Sequence, residues 1–346
     1  MKSWTATARG PPTPQSLTLA ASLPLPTLPP NSTALLLKIT HVALNPADLV
    51  LLRALPPWLP FRRAPPVPGM DFAGVVVAVG DGVGVGAGAG AAPGRGVSSS
   101  SSSFAVGDRV CGALGLAAVL RGEGTLAEYV LVESASVAKM PLREGWGLRE
   151  AVGVLGVAGQ TALCMVRRAG GWEGMAGWRV LVNGGQWRGG FAGGAGLQGA
   201  WGGGVIDYRI HDPLEEHLAQ KFGEQQFDAI LDCAGSQALF SHSPRYLKPE
   251  GKFVSIVGGW SQGVVPFVRN KLRPRFLGGT PRRYDLFLLS SSGSIAKEVA
   301  GWVEQGVIKQ AVIDSEYPME QAVEAFQKLA TGRARGKIVI KVASTE

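Results

Sequence analysis

Small residues stand directly after strand-like runs at three places in this 346-residue chain. Gly184 and Gly185 follow residues 179–183, Cys233, Ala234 and Gly235 follow residues 227–232, and Gly258 and Gly259 follow residues 253–257. In an open parallel sheet the carboxyl ends of the strands border a crevice where dinucleotides lie, and small residues there let the backbone approach a flat ring or a phosphate. The same residues also read as ordinary glycine turns. Asn45 offers an amide that donates and accepts at one place, although Asn before Pro46 is equally a turn signal. Asp48, three residues on, orients neighbours or caps the helix that follows. Arg209 is a cation able to pair with a phosphate.

No metal-ligand set is legible. Cys111, Cys164 and Cys233 have neither metal nor disulfide spacing, and His41, His211, His217 and His242 lack partners at ligand distance in sequence. Free cysteines suit a reducing, cytoplasmic setting. The formal net charge of +8 comes from scattered pairs such as Arg62 and Arg63, not from a basic stripe with interleaved aromatics, so no nucleic-acid partner is indicated. No uninterrupted apolar run reaches the ~18 residues that a membrane span needs.

The elements that would position these residues fall into two kinds. Residues 34–40, 74–79, 109–112 and 127–132 read as short strands between Gly/Pro turns, which makes a β-rich N-terminal unit. From about residue 148 the pattern alternates. A helical segment carries Leu148, Val152, Leu155 and Leu163, and strands follow at 179–183, 205–207, 227–231, 253–257 and 275–277. A helix over 213–222 has Asp212 as its cap. Alternation of this sort implies a parallel sheet with crossover helices, an α/β fold. A last amphipathic helix uses Met319, Ala322, Val323, Phe326 and Leu329 before a strand at 337–342. Residues 81–103, a Gly/Ala tract ending in six serines, are expected to form a disordered surface insertion.

Eight motifs then occur in order: MKSW at the start, LNPAD at 44–48, PGMDFAGVV at 68–76, VGDRV at 106–110, GTLAEYV at 124–130, GQTAL at 159–163, LDCAG at 231–235 and RGKIVIKV at 335–342. Together they resemble the zinc-free quinone oxidoreductase (zeta-crystallin-like) and enoyl reductase branch of the medium-chain dehydrogenase/reductase superfamily. The resemblance implies a GroES-like catalytic domain over 1–147, a Rossmann-type cofactor domain over 148–281, and a segment over 282–346 that completes the first. It implies hydride transfer from NADPH to a quinone, enone or related small-molecule acceptor, and allows a homodimer. It places Asn45 near the nicotinamide ribose and the substrate carbonyl, Thr161 beside the nicotinamide, Tyr208 by the adenosine phosphate and Lys337 on a phosphate. Tyr129 or solvent would give the proton. Zinc-bearing relatives carry Cys where this chain has Asn45, and His-Glu where it has Met70 and Asp71. A catalytic zinc needs three protein ligands, and that set is missing.

The resemblance breaks between Asn183 and residue 205. A βαβ unit takes roughly 30 or more residues, yet only 184–204 fill the gap, and eleven of these are glycine. Each glycine costs about 0.8–1.0 kcal/mol against alanine in a helix. The cofactor domain is therefore expected to be truncated, with the helix N-terminus that would face the pyrophosphate absent or badly formed. A non-catalytic member with a disabled cofactor site, acting as a binding protein, is the alternative.

Overall fold

The computed structural model describes residues 1–63, 65–83, 104–184, 206, 210–256, 270 and 272–343. Contacts divide the chain into two compact units, Met1–Ala158 with Ser290–Glu304 and Ile313–Glu346, and Gly159–Leu289 with Gln305–Val312.

In the first unit, β1 (Ser3–Ala6) and β2 (Leu17–Ala20) form an antiparallel pair. The strand that organises the rest is β3 (Ala34–Ala43), whose apolar run is buried along nearly its whole length. Helix α1 (Pro46–Ala54) starts two residues later because Asn45 takes the N-cap and Pro46, with its preset φ and missing N–H, takes the first helical position. After it come β4 (Asp71–Val79), β5 (Arg109–Ala113), α2 (Leu116–Leu120), β6 (Tyr129–Glu133), β7 (Val137–Lys139) and α3 (Leu148–Leu155). One edge of β3 pairs with β4; its other edge is taken by β6 from Ala34 to Lys38. Helix α3 packs on β3, β4 and β5 and so belongs to this unit, past the expected boundary at residue 147.

The second unit takes most of α4 (Val157–Ala169), then the short α5 (Gly171–Gly174), β8 (Val180–Asn183), α6 (Leu214–Phe222), β9 (Phe227–Asp232), α7 (Gln237–Ser241), β10 (Leu247–Ser255) and β11 (Arg283–Leu286). The strands run parallel in the order β11-β10-β9-β8. Residues of β9 serve two opposite cores, alternating over Ala229, Ile230 and Leu231. Ala229 and Leu231 pack with Met165, Val166 and Val254, while Phe227 and Ile230 pack with Leu218, Phe240 and Phe253. Burial on both faces is what a parallel sheet requires.

The chain then returns to the first unit with α8 (Gly293–Glu304), β12 (Ile313–Pro318), α9 (Ala322–Ala330) and β13 (Lys337–Lys341). Strand β13 takes the part of the β3 edge that β6 leaves free, with Val339 opposite Ala43 and Lys341 opposite His41. The first sheet thus runs β12-β13-β3-β4-β5-β7, with β6 on β3. Trp4 donates its indole N–H to the Met319 carbonyl at 2.7 Å, joining the first strand to the last helical segment.

Two expectations fail. Residues 275–277 form a 3-10 turn closed by the Leu277 N–H on the Pro274 carbonyl, with Phe276 85% exposed. Arg275, Phe276 and Leu277 include only two apolar residues, too few to have a period by which strand and turn differ, and the fourth strand is Arg283–Leu286 instead. The cap of α6 is Pro213, so Asp212 stands outside the helix. The expected insertion from 84 onward, residues 185–204 and the strand at 205–207 apart from 206 lie outside the described residues. No helix among the described residues is long and apolar enough to cross a membrane.

Tyr246 is fully buried beneath α7 and gives its hydroxyl proton to the Leu239 carbonyl at 2.6 Å. Tyr246→Phe is expected to lose about 1–3 kcal/mol of stability through the unpaired carbonyl. Urea denaturation checks this, and an unchanged midpoint would refute it.

Candidate active site

Backbone register brings three polar side chains of the first unit together. In the β3–β13 ladder Val339 faces Ala43, and the Leu44 N–H donates to the Ile338 carbonyl at 2.9 Å, so continuing that register sets Lys337 opposite Asn45. On the other edge His41 faces Ala73, which carries Asp71 to the level of Ala43. The side chains meet accordingly. Lys337 Nζ donates to Asn45 Oδ1 at 2.7 Å and to Asp71 Oδ2 at 3.0 Å. Asp71 is fully buried, and the Lys337 side chain is 16% exposed.

Each member is held by a second contact. The Val157 N–H, at the start of α4, donates to Asp71 Oδ1 at 2.8 Å, and Thr125 Oγ1 donates to the Asp71 carbonyl at 2.9 Å. Gly156 is required there, because a Cβ would collide with the Asp71 carboxylate. Asn45 donates its backbone N–H to Asp48 Oδ2 at 2.7 Å, and its side-chain amide reaches the Ala43 carbonyl at 3.4 Å. Burial raises the Asp48 carboxyl to about 7, helped by the Asp71 charge and opposed by the Asn45 N–H and by Lys337. Asp48 Oδ1 has no hydrogen-bond partner.

A second cluster lies at the strand ends of the other unit. Gly184 and Gly235 adopt φ of +72° and +75°, conformations that favour glycine, and a Cβ on Gly184 would strike Ala234. The Asp232 carboxylate ties the loop together, accepting from Asn183 Nδ2 at 2.8 Å and from the N–H groups of Ala234, Gly235 and Ser236 at 3.0–3.1 Å. Burial raises the Asp232 carboxyl, against the pull of these donors. Cys233 packs its sulfur 3.7 Å from Met165 Sδ, and burial pushes its thiol up to about 12, so it is no nucleophile at neutral pH.

The structure therefore places Asn45 and Lys337 in one cluster and Gly184, Cys233 and Gly235 in another. Thr161 is buried on α4, one turn from Val157. Lys337 donates to Asn45 and Asp71 because the β13 register fixes it opposite Asn45. Tyr129 sits on β6 opposite Lys38. Gly185, Tyr208, Arg209, Gly258 and Gly259 lie outside the described residues. Asp71, Gly156 and Asp232 were not singled out as site residues from sequence. Asp71 and Asp232 lie inside the PGMDFAGVV and LDCAG motifs, which was the signal that could have found them. A cavity of about 310 Å³ lined by Thr7, Arg9, Pro57 and Trp58 holds none of the candidate residues.

A carboxyl raised in the folded state favours its neutral form, so its contribution to stability is complete at acid pH and is lost as pH rises towards the folded value. For Asp48 the loss is expected between about pH 4 and pH 7 and amounts to at most ~4 kcal/mol, at 1.36 kcal/mol per unit. Asp48→Asn keeps an acceptor for the Asn45 N–H and should remove this slope. Denaturation of both proteins across that range measures it, and parallel stability curves would refute it.

Comparison with known proteins identifies the family. Residues 31–142 match the alcohol dehydrogenase GroES-like domain and residues 203–340 match the zinc-binding dehydrogenase family. The medium chain reductase pydE of an Acremonium species is 32% identical, with 99% of each chain covered, and the trans-enoyl reductase poxH of Penicillium oxalicum is 28% identical over 99% of this chain and 98% of its own. The alignment with the former extends over 387 positions, more than this chain's length, so that relative has stretches without a counterpart here. The quinone oxidoreductase of Coxiella burnetii superposes with a TM-score of 0.71 at 22% identity, covering 99% of both chains. With a GroES-like domain, a Rossmann-like parallel sheet and reductase relatives along its whole length, the chain is an oxidoreductase of the medium-chain dehydrogenase/reductase superfamily.

Proposed function

We propose that this protein reduces the activated double bond of an enone or the ring of a quinone with NADPH, without zinc. The observation that carries the reading is the small-residue carboxyl end of the parallel sheet, where Gly184, Cys233, Ala234 and Gly235 close β8 and β9 with no large side chain. Such an end fits a flat nicotinamide cofactor. A bound reduced nicotinamide supplies hydride. The chain's own part is to hold the strand-end loop rigid through Asp232, and to present hydrogen-bond donors to the acceptor. The acceptor class rests on relatives named trans-enoyl reductase and quinone oxidoreductase. The expected homodimer and cytoplasmic setting belong to the same reading.

Absence of zinc rests on side-chain chemistry. Asn45 and Asp71 supply a neutral amide and one carboxylate, and the ammonium of Lys337 already satisfies both. No cluster of three or more His, Cys, Asp or Glu groups occurs among the described residues. Purified protein is expected to carry no stoichiometric zinc and to keep its melting temperature in chelator. Elemental analysis giving about one zinc per chain would sink this.

Affinity for the cofactor should be low. In the described residues β8 pairs only with β9, its residues are half-buried, and Val182 is 43% exposed, unlike the covered β9. A dinucleotide gains from backbone N–H groups at a helix N-terminus, at about 0.3–2 kcal/mol for a charge near such an end. The glycine-rich 184–204 segment is expected from its sequence to supply neither that helix nor the wall of the adenosine pocket, which would carry binding from micromolar towards millimolar, at ~1.4 kcal/mol per tenfold. NADPH fluorescence titration, against a version with a full-length βαβ insert from a relative, tests this. Micromolar binding by the chain as it stands would refute the low affinity, and absence of enone-dependent NADPH oxidation in both versions would refute the reductase.

A further inference from the structure

Resting on that reading, we infer that the Lys337 ammonium is the catalytic group that polarises the acceptor's carbonyl oxygen, standing in for a Lewis-acid metal. An ammonium has three N–H donors. Two are taken, by Asn45 Oδ1 and Asp71 Oδ2, and tetrahedral nitrogen directs the third away from both. The stem of the side chain lies beside Gly153 of α3 and the group retains 16% exposure. A buried carboxylate 3.0 Å away fixes the ammonium in place, so it needs no reorganisation when charge develops.

Charge selects the ligand. With Asp71 beside it, the pair is neutral overall. A standing dianion such as phosphate would gain from Lys337 and be repelled by Asp71. A carbonyl oxygen is uncharged before reaction and becomes negative during it, so the pair suits the reacting state better than the resting one. As hydride joins the β-carbon of an enone, the C=C electrons move to the carbonyl oxygen and make an enolate. The third N–H of Lys337 donates to that oxygen, the ammonium keeps its proton, and a solvent proton joins the α-carbon to restore the carbonyl. One hydride and one proton are consumed per double bond.

The probe is an aryl enal chromophore, 4-(dimethylamino)cinnamaldehyde, whose absorption shifts to the red when its carbonyl oxygen is polarised. Added to the full-length protein without NADPH, it is expected to show the red shift. Lys337→Met should abolish the shift and lower kcat about 10²–10³-fold, the cost of an oxyanion donor, with a smaller change in KM. Lys337→Arg, which keeps the charge, should recover part of the shift. If Lys337→Met fails to fold because Asp71 is left unpaired, the double variant K337M/D71N removes both charges and should likewise lose the shift. No shift in the unaltered protein, or an unchanged shift in any folded variant lacking the charge, overturns the inference. A shift that depends on Lys337 in a protein that never oxidises NADPH supports polarisation of the carbonyl by Lys337 while refuting the reductase and with it the catalytic role.

Discussion

A carboxylate with no exposed surface must find a cation or donors, or take up a proton, because desolvating an unpaired charge costs several kcal/mol. Asp71 finds its partners in two distant parts of the chain: the N–H of Val157, where α4 begins, and the ammonium of Lys337 on the last strand. Satisfying this one group ties the N-terminal β-rich segment to the start of the helix that leads into the second unit and to the segment that returns from it. The register of β3 with β4 and β13 makes that possible, since a slip of one residue would turn Asp71 or Lys337 to the opposite face.

Asp232 does the corresponding work in the second unit with a different chemistry. Among the described residues its partners are neutral donors: one amide from β8, the Ser255 hydroxyl and three successive backbone N–H groups of its own loop. A carboxylate satisfied in this way fixes the loop shape without adding a positive charge to the strand ends. The two clusters thus differ in chemistry, with an ion pair in the β-rich unit and a carboxylate held by neutral donors among small residues on the parallel sheet.

Much of this was legible in the sequence, and the missing parts share a cause. Strands such as Ala34–Ala43 and Phe227–Asp232 announce themselves by apolar runs bounded by turns, and Asn45-Pro46 with Asp48 is a local helix start. Gly184 and Gly235 were readable because glycine at a strand end points to a tight turn. The partner of Lys337 was not readable. Its contact with Asn45 spans 292 residues and depends on which edge of β3 accepts the last strand. The placement of Asp71 has the same origin. Residues 275–277 misled for a local reason, since two apolar residues behind Arg275 have no period to read.

The sharing of the β3 edge between β6 and β13 also sets a schedule for synthesis. Its first half can pair as soon as residues 129–133 emerge, but its second half waits for β13. Asp71 is followed by 266 residues before Lys337 appears, which at ribosomal rates of about 5–20 residues per second is roughly 13–53 s. Over that interval the nascent chain holds an open strand edge and a carboxylate without its cation, while the second unit, whose last residues are Gln305–Val312, is complete before Lys337 emerges. The β-rich unit is begun first and finished last, and its exposed half-edge makes it the part of the newborn chain most dependent on protection from aggregation.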